Sequence, residues 1–272
     1  MADGSTPPDS MNTAVGSDSE AGKLVGSDRV LAVLKELARY PDGVSLVEMT
    51  RAMNSPKPTI HRALTSLCRS GLADRDARGH YVLGDELLRM AFAHYDARPE
   101  HVRLQSALKQ LAEKFQETAH YAVLDGREVV YRAKVDPHGG AVRMTSVIGG
   151  RNPAHCTAIG KVLLSRRLLT REAVEAWVGG AALQRRTPQT MCTAEELHQA
   201  LEQTRCQGFG IDDQENEVGV NCLAVPVFLK SPSEPTGAVS ISALTYRKPI
   251  GALIASVDAI RDVLASSATE RA

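Results

Sequence analysis

Long apolar runs are missing from this 272-residue sequence. The stretch CLAVPVFL (222–229) is about the longest, well short of the ~18 residues that a helix needs to cross a bilayer. The N-terminus has no basic segment followed by an apolar one, the mark of a secretion signal. Cysteine is scarce and has no pairing pattern: Cys68, Cys156, Cys192, Cys206 and Cys222 are odd in number and contain no CxxC. That argues against a disulfide scaffold or a structural zinc site and for a reducing cytoplasm. Net charge is absent too, 32 Lys plus Arg balancing 32 Asp plus Glu, so the whole molecule has no general attraction for polyanions. No GxGxxG, Walker or zinc-protease motif occurs, and no cofactor or metal is expected. What remains is ordinary globular composition, 43% hydrophobic and 24% charged, in a length that suits two domains of roughly 150 residues.

The balanced total hides a segregation. Residues 27–84 hold nine bases against six acids, a surplus of three, behind an acidic segment 1–26 that is Gly/Ser/Pro/Asp-rich and reads as a disordered tail. Ser27 or Asp28 is placed to cap a helix carrying Val30, Val33, Leu34 and Leu37 at helical spacing. YPDGV (40–44) ends it. Ser45 and Glu48 form a capping box for a short second helix, and Asn54 suits its left-handed exit. Ser55 and Pro56 open a third helix with a buried stripe of Ile60, Ala63, Leu64 and Leu67, closed by Gly71. LADRDARGHYVLG then reads as two short strands around a polar turn. Three helices and a basic hairpin make a winged helix-turn-helix. The third helix leaves Lys57, Thr59, His61 and Arg62 outward near its N-terminus, where side chains meet base edges in the major groove. A solvated three-helix bundle with incidental charge is the plainer alternative.

From Asp85 a connector helix runs to 98, and a break at ARPE (97–100) precedes a helix with Leu104, Ala107, Leu108, Leu111 and Phe115 on one face. Exposed apolar residues on such a connector are a place for a dimer to form. AHYAVLDGREVVYRAKV (119–135) is a hairpin around Asp-Gly. Strands are expected at 141–147, 209–213, 222–229 and 237–244, with helices from 155, at 171–178, at 194–207 and near 250–266. Six strands with flanking helices give an α+β fold, helices on an antiparallel sheet.

Chemistry has few candidates. His155 and Cys156 invite a thiol-dependent enzyme, but adjacent residues rarely aim at each other and no orienting acid is identifiable. The helix opened by Thr157, Ala158 and Ile159 offers free N–H groups to a small anion instead. Asp212, Asp213, Glu215 and Glu217 suggest a cation, yet lack ligand spacing and read as a solvated acidic turn. Cys222, Ser240 and Ser242 alternate on strands and are either satisfied core groups or ligand partners.

The motifs SPKPTIHRALTSLCRSGL, GHYVLG, HCTAIGKVLL, GFGIDDQENEVGVNCLAVPVF and AVSIS, in this order, resemble the IclR-type bacterial transcriptional regulators over about residues 27–266. Behind the tail at 1–26, the resemblance implies a winged helix-turn-helix at 27–84, a connector helix at 85–98, and at 99–272 a GAF/profilin-like α/β sandwich for effector binding and oligomerisation. It implies a cytoplasmic homodimer or homotetramer, without membrane contact, that binds double-stranded operator DNA and a small organic or aromatic acid. The function implied is regulation of a catabolic operon, more as repressor than activator. DNA-reading positions carried over are Ser55, Lys57, Thr59, His61, Arg62, Arg75, Arg78 and His80. Effector positions are Ala141, Ala158, Ile159, Asp212, Val220, Cys222, Ser240 and Ser242. Pro58 stands where a Ser is usual, Asn54 where a Gly is usual, and Cys156-Thr157 where Ala-Ser is common. A redox- or metal-sensing regulator is the alternative within the same architecture.

Overall fold

The computed structural model describes residues 26–96, 99–139, 144–180 and 182–269, and divides into two compact units, the first ending at His94 and the second starting at Tyr95. In the first, α1 (Ser27–Leu37), α2 (Leu46–Ala52) and α3 (Lys57–Arg69) enclose a core of Val33, Leu37, Met49, Ile60, Leu64 and Leu67. A small hairpin, β1 (Ala73–Arg75) with β2 (Tyr81–Leu83), closes that core with Tyr81, and α4 (Asp85–Asp96) follows. Local chemistry sets the boundaries. The Ser45–Glu48 capping box is formed in both directions, and Asn54 and Gly71 take positive φ of 42° and 70° after α2 and α3. Ser27 is not a cap: Gly26 occupies that position and gives α1 no side-chain hydrogen bond. Pro56 precedes α3 as its cap residue and Pro58 lies in the first turn, where a missing N–H costs little.

The second unit is built on one antiparallel sheet of β3 (Thr118–Asp125), β4 (Glu128–Val135), β5 (Arg151–Pro153), β6 (Gly210–Asp213), β7 (Val220–Val227) and β8 (Gly237–Leu244), in the order β5-β4-β3-β8-β7-β6. One of the expected strands moves. Residues 144–147 are not a strand, and 140–143 lie outside the described residues; the sixth strand is instead β5, paired to β4 through Asn152 and Val129. One sheet face, with Ala119, Tyr121, Leu223, Val239 and Ile241, packs on α5 (Pro99–Phe115) and on the last helix, which is broken into α9 (Ile250–Ile254) and α10 (Val257–Thr269). The other face is covered by α6 (Ala158–Arg167), α7 (Arg171–Val178) and α8 (Ala194–Gln207). None of these helices is long and apolar enough to cross a membrane.

Helix α6 sits unusually deep, with every residue from Ala158 to Ser165 buried. A 3-10 turn at Ala154–Cys156 delivers it, and Thr157 caps it through the amide of Gly160 at 3.1 Å. Glycine is required at two close approaches. A Cβ on Gly160 would lie 2.0 Å from the Ala154 carbonyl oxygen, and one on Gly210 of β6 would lie 2.5 Å from that of Ala158. Gly160→Ala is expected to destabilise the protein by ~1–3 kcal/mol, the usual cost of overpacking, through displacement of the 154–156 turn. A thermal melt equal to wild type would show that the turn yields freely.

Candidate functional site

Cross-strand register places the expected effector residues together. Asp212 pairs with Cys222, Cys222 with Ser242, and Ser242 with Thr118; one row on, Gly210, Ala224, Ser240, His120 and Lys134 are in line. Directly opposed residues share a face, and residues two apart along a strand share it too. Asp212, Cys222, Ser240, Ser242 and, at the end of β7, Val220 therefore line the face covered by α6. Ala158 and Ile159 start that helix, and their N–H groups, first-turn donors, have no acceptor among the described residues. Ala141 lies outside the described residues.

The same face carries groups that the sequence did not single out. His120, fully buried, hydrogen-bonds Ser242 Oγ at Nδ1 (3.3 Å) and Ser146 Oγ at Nε2 (2.7 Å); because the Cys222 thiol donates to Ser242 Oγ (3.1 Å), the Ser242 proton is assigned to Nδ1 and the ring proton to Nε2. This hydrogen-bond chain crosses from β7 over β8 and β3 to the segment beside β4. Burial, aided by the Lys134 charge, pushes the His120 imidazole down to about 3, so it is neutral at any physiological pH. Tyr131 lies with its ring 5.0 Å from that of His120, accepts from Asn152 Nδ2 at 3.2 Å, and is pushed up to about 12 by burial. Lys134 donates to the Met144 carbonyl at 2.7 Å and pairs with Asp136 at 3.3 Å.

Beneath α6 the acidic turn departs from expectation. Asp213 and Glu217 are exposed, but Asp212 and Glu215 are buried, so the turn is not simply solvated. Lys161, in the middle of the apolar run of α6, reaches Glu215 Oε1 at 2.5 Å. Asp212 Oδ1 accepts the backbone amides of Glu215 (2.7 Å) and Asn216 (3.3 Å). Burial pushes the Asp212 carboxyl up to about 7 against the opposing pull of Lys161. The thiol candidate fares badly as a nucleophile: Cys156 is completely buried, burial pushes it up to about 12, and His155 donates from Nε2 to the Gln184 carbonyl (3.0 Å) rather than facing sulfur. Among the described residues no three His, Cys, Asp or Glu side chains are grouped to hold a metal ion.

In the first unit, Lys57, His61 and Arg62 are exposed along the first two turns of α3, with Thr59 half-buried beside them. Thr59 and Arg62 line a surface groove of about 400 Å³ with Arg29 of α1. The wing bases are more committed. Arg75 stacks on the Tyr81 ring at 4.5 Å and bonds its hydroxyl, and Arg78 is held by Asp76 (2.9 Å) and by the Asp42 carbonyl (2.8 Å). His80 donates its backbone amide to Asp76, and Ser55 spends its hydroxyl on the Met53 carbonyl.

Comparison with known proteins decides between regulator and enzyme. The IclR helix-turn-helix domain matches residues 27–77, and the bacterial transcriptional regulator IclR C-terminal domain matches residues 101–263. The chain belongs to the IclR family. It is a DNA-binding transcriptional regulator with a C-terminal effector-binding domain, and not an enzyme. It is 34% identical to the HTH-type transcriptional regulator XynR of Escherichia coli over 81% of this chain and 86% of that one. It is 30% identical to the transcriptional repressor IclR of the same species, over 84% and 83%. In fold it matches an IclR homologue from Microbacterium hydrocarbonoxydans crystallised with 4-hydroxybenzoate, with TM-score 0.68 at 21% identity over 87% of this chain and 99% of that one.

The buried hydrogen-bond chain makes a direct prediction. His120 should remain a neutral Nε2–H tautomer from about pH 5 to about pH 8, which long-range nitrogen–proton NMR correlations report. A titration of its ring signals within that window would rule the chain out as drawn.

Proposed function

We propose that this IclR-family regulator is a cytoplasmic repressor of a catabolic operon, released from or rearranged on its operator by a small organic or aromatic acid. The proposed boundaries are a tail at 1–26, the winged helix-turn-helix at 27–84, a connector at 85–98 and the effector domain at 99–272. The observation that carries the acid reading is the convergence of two free N–H groups at the start of α6 with Asp212, Cys222, Ser240 and Ser242 on one sheet face. Ser240 is buried and makes no hydrogen bond among the described residues, so its hydroxyl is available to a ligand. The 4-hydroxybenzoate held by the structural neighbour agrees with that chemistry, and the name of the IclR repressor supports the sign of regulation.

Operator reading is assigned to Lys57, Thr59, His61 and Arg62, with Ser55 at the helix entry and Arg75, Arg78 and His80 as wing contacts to phosphate. Arg75 and Arg78 reach phosphate only by giving up partners within the domain, so they position rather than specify. A palindromic operator calls for two copies, as a homodimer or homotetramer. Exposed Leu88, Met90 and Phe92 on α4 supply apolar surface for that association. Effector binding then acts as a population shift: whichever spacing of paired winged helices the effector favours sets the affinity for the half-sites.

Two substitutions test the assignment separately. Arg62→Ala should weaken operator binding by ~1–3 kcal/mol, the worth of a bidentate guanine contact, with the thermal melt unchanged. Unchanged gel-shift affinity on the operator footprinted upstream of the protein's own gene would remove Arg62 from the interface. Ser240→Ala should blunt the response to an acid while operator affinity without effector is retained; parallel loss of both would mark the serine as structural.

A further inference from the structure

The charge inventory under α6 bears on which acids the site accepts, and the argument rests on the effector reading above. Two carboxyl groups are buried there, Asp212 at 2% exposure and Glu215 at 8%, with a single ammonium between them, Lys161 at 3%. Glu215 holds that ammonium at 2.5 Å. Asp212 keeps two backbone amides, both at Oδ1, and its Oδ2 accepts nothing among the described residues. A buried carboxylate that lacks its own cation is the costlier of the two to ionise.

The surrounding elements do not relieve it. Cys222 on β7, Cys156 ahead of α6 and Tyr131 on β4 are kept protonated by burial, and Asp212 itself adds to those shifts. Glu217 on the turn brings more negative charge. Arg186, largely exposed, gives its Nε to the Asn216 carbonyl. Farther along the face, His120 is neutral and Lys134 is engaged by Asp136 and Met144. An anion that arrives at the α6 amides and Ser240 becomes a third negative charge around one lysine.

We propose that an acidic effector enters this site together with one proton taken from solvent, carried on Asp212 Oδ2 and donated as a hydrogen bond to the effector's carboxylate, so that the site selects monocarboxylates over dicarboxylates. The arrangement is that of two carboxyl groups sharing one proton. The ligand's carboxyl, with an ordinary acidity near ~4, stays ionised, while Asp212 supplies the donor. Burial already raises Asp212 to about 7, so its proton is half in place in the free protein at neutrality. Above that pH, binding must take the proton up, and apparent affinity falls as pH rises; below it, affinity is flat.

Titration calorimetry of the full chain with benzoate, pyruvate and succinate, from about pH 6 to about pH 8.5, tests this. Benzoate or pyruvate should bind, weakening toward ~tenfold per pH unit above neutrality, with close to one proton taken up when phosphate and Tris buffers are compared, and succinate should bind far more weakly. Asp212→Asn keeps an N–H donor without a titrating group and should bind the monoanion with a pH-independent constant and no proton uptake. If that variant melts early, the wild-type proton count decides alone. Equal affinity at both ends of the range with no proton uptake leaves the effector reading standing and overturns the proton coupling. Succinate binding as tightly as the monoanions overturns the selectivity. If none of the three binds at any pH to protein that melts normally, the acid-effector reading itself fails and takes the proposal with it.

Discussion

Helix α6 presses its first turn onto the 154–156 turn at Gly160 and onto β6 at Gly210, so closely that neither position admits a methyl group. From that contact much of the second unit follows. A helix buried on every side cannot send Lys161 to water, so a carboxylate must come inside to meet it, and the 214–219 turn supplies Glu215. The same burial withholds water from the Ala158 and Ile159 amides. It also brings Asp212 under the helix, where Lys161 is already engaged. Structural necessity and ligand chemistry thus share a cause: the depth that makes the pair Lys161–Glu215 obligatory also makes the neighbouring amides and carboxyl available. Buried ion pairs rarely add net stability, because desolvation offsets much of the attraction. Its value here lies in fixing the turn after β6 against α6.

The two units obey different rules. The first, with its surplus of basic residues, is held by an apolar core and by caps that local sequence specifies, and leaves Lys57, His61 and Arg62 exposed on α3. Its wing arginines fix the hairpin, Arg75 by stacking on Tyr81 and Arg78 by bonding to Asp76. The second unit devotes one sheet face to ordinary packing against α5 and α10. The other carries histidine, hydroxyl, thiol and carboxyl groups at the cross-strand positions where a purely structural sheet would place more aliphatic side chains.

Much of this was legible in the sequence because it is locally encoded. The Ser45–Glu48 box, the glycine after α3, the Ile60/Leu64/Leu67 stripe and the Asp-Gly hairpin are signals a few residues long, and the helices 171–178 and 194–207 appear with the expected bounds. The errors are of longer range. AVRMTSV alternates like a strand, yet 144–147 is not one, whereas β5 (Arg151–Pro153) has no strand signal of its own and exists because β4 pairs with it. His120 and Lys134 were missed because one polar residue in a half-buried strand is unremarkable until the register aligns several of them. Lys161 and Glu215 are 54 residues apart, but a clue was present: a lysine within AIGKVLL has no solvated stripe to occupy, and such a charge requires an acid in the core.

The hydrogen-bond chain through His120 also bears on the effector site proposed above. With the ring proton assigned to Nε2 the chain has a direction: Cys222 gives to Ser242, Ser242 to His120, and His120 to Ser146. A ligand that accepts a hydrogen bond from Ser242 competes with Nδ1 for the same proton, and one that donates to Ser242 competes with the Cys222 thiol. Either way the disturbance falls on β3, a central strand whose opposite face, through Ala119 and Tyr121, is packed against α5. Close packing makes that contact unable to absorb the change by compression. The faces of β3 toward α6 and toward α5 are therefore mechanically one object, and α5 is the helix that follows α4 in the chain.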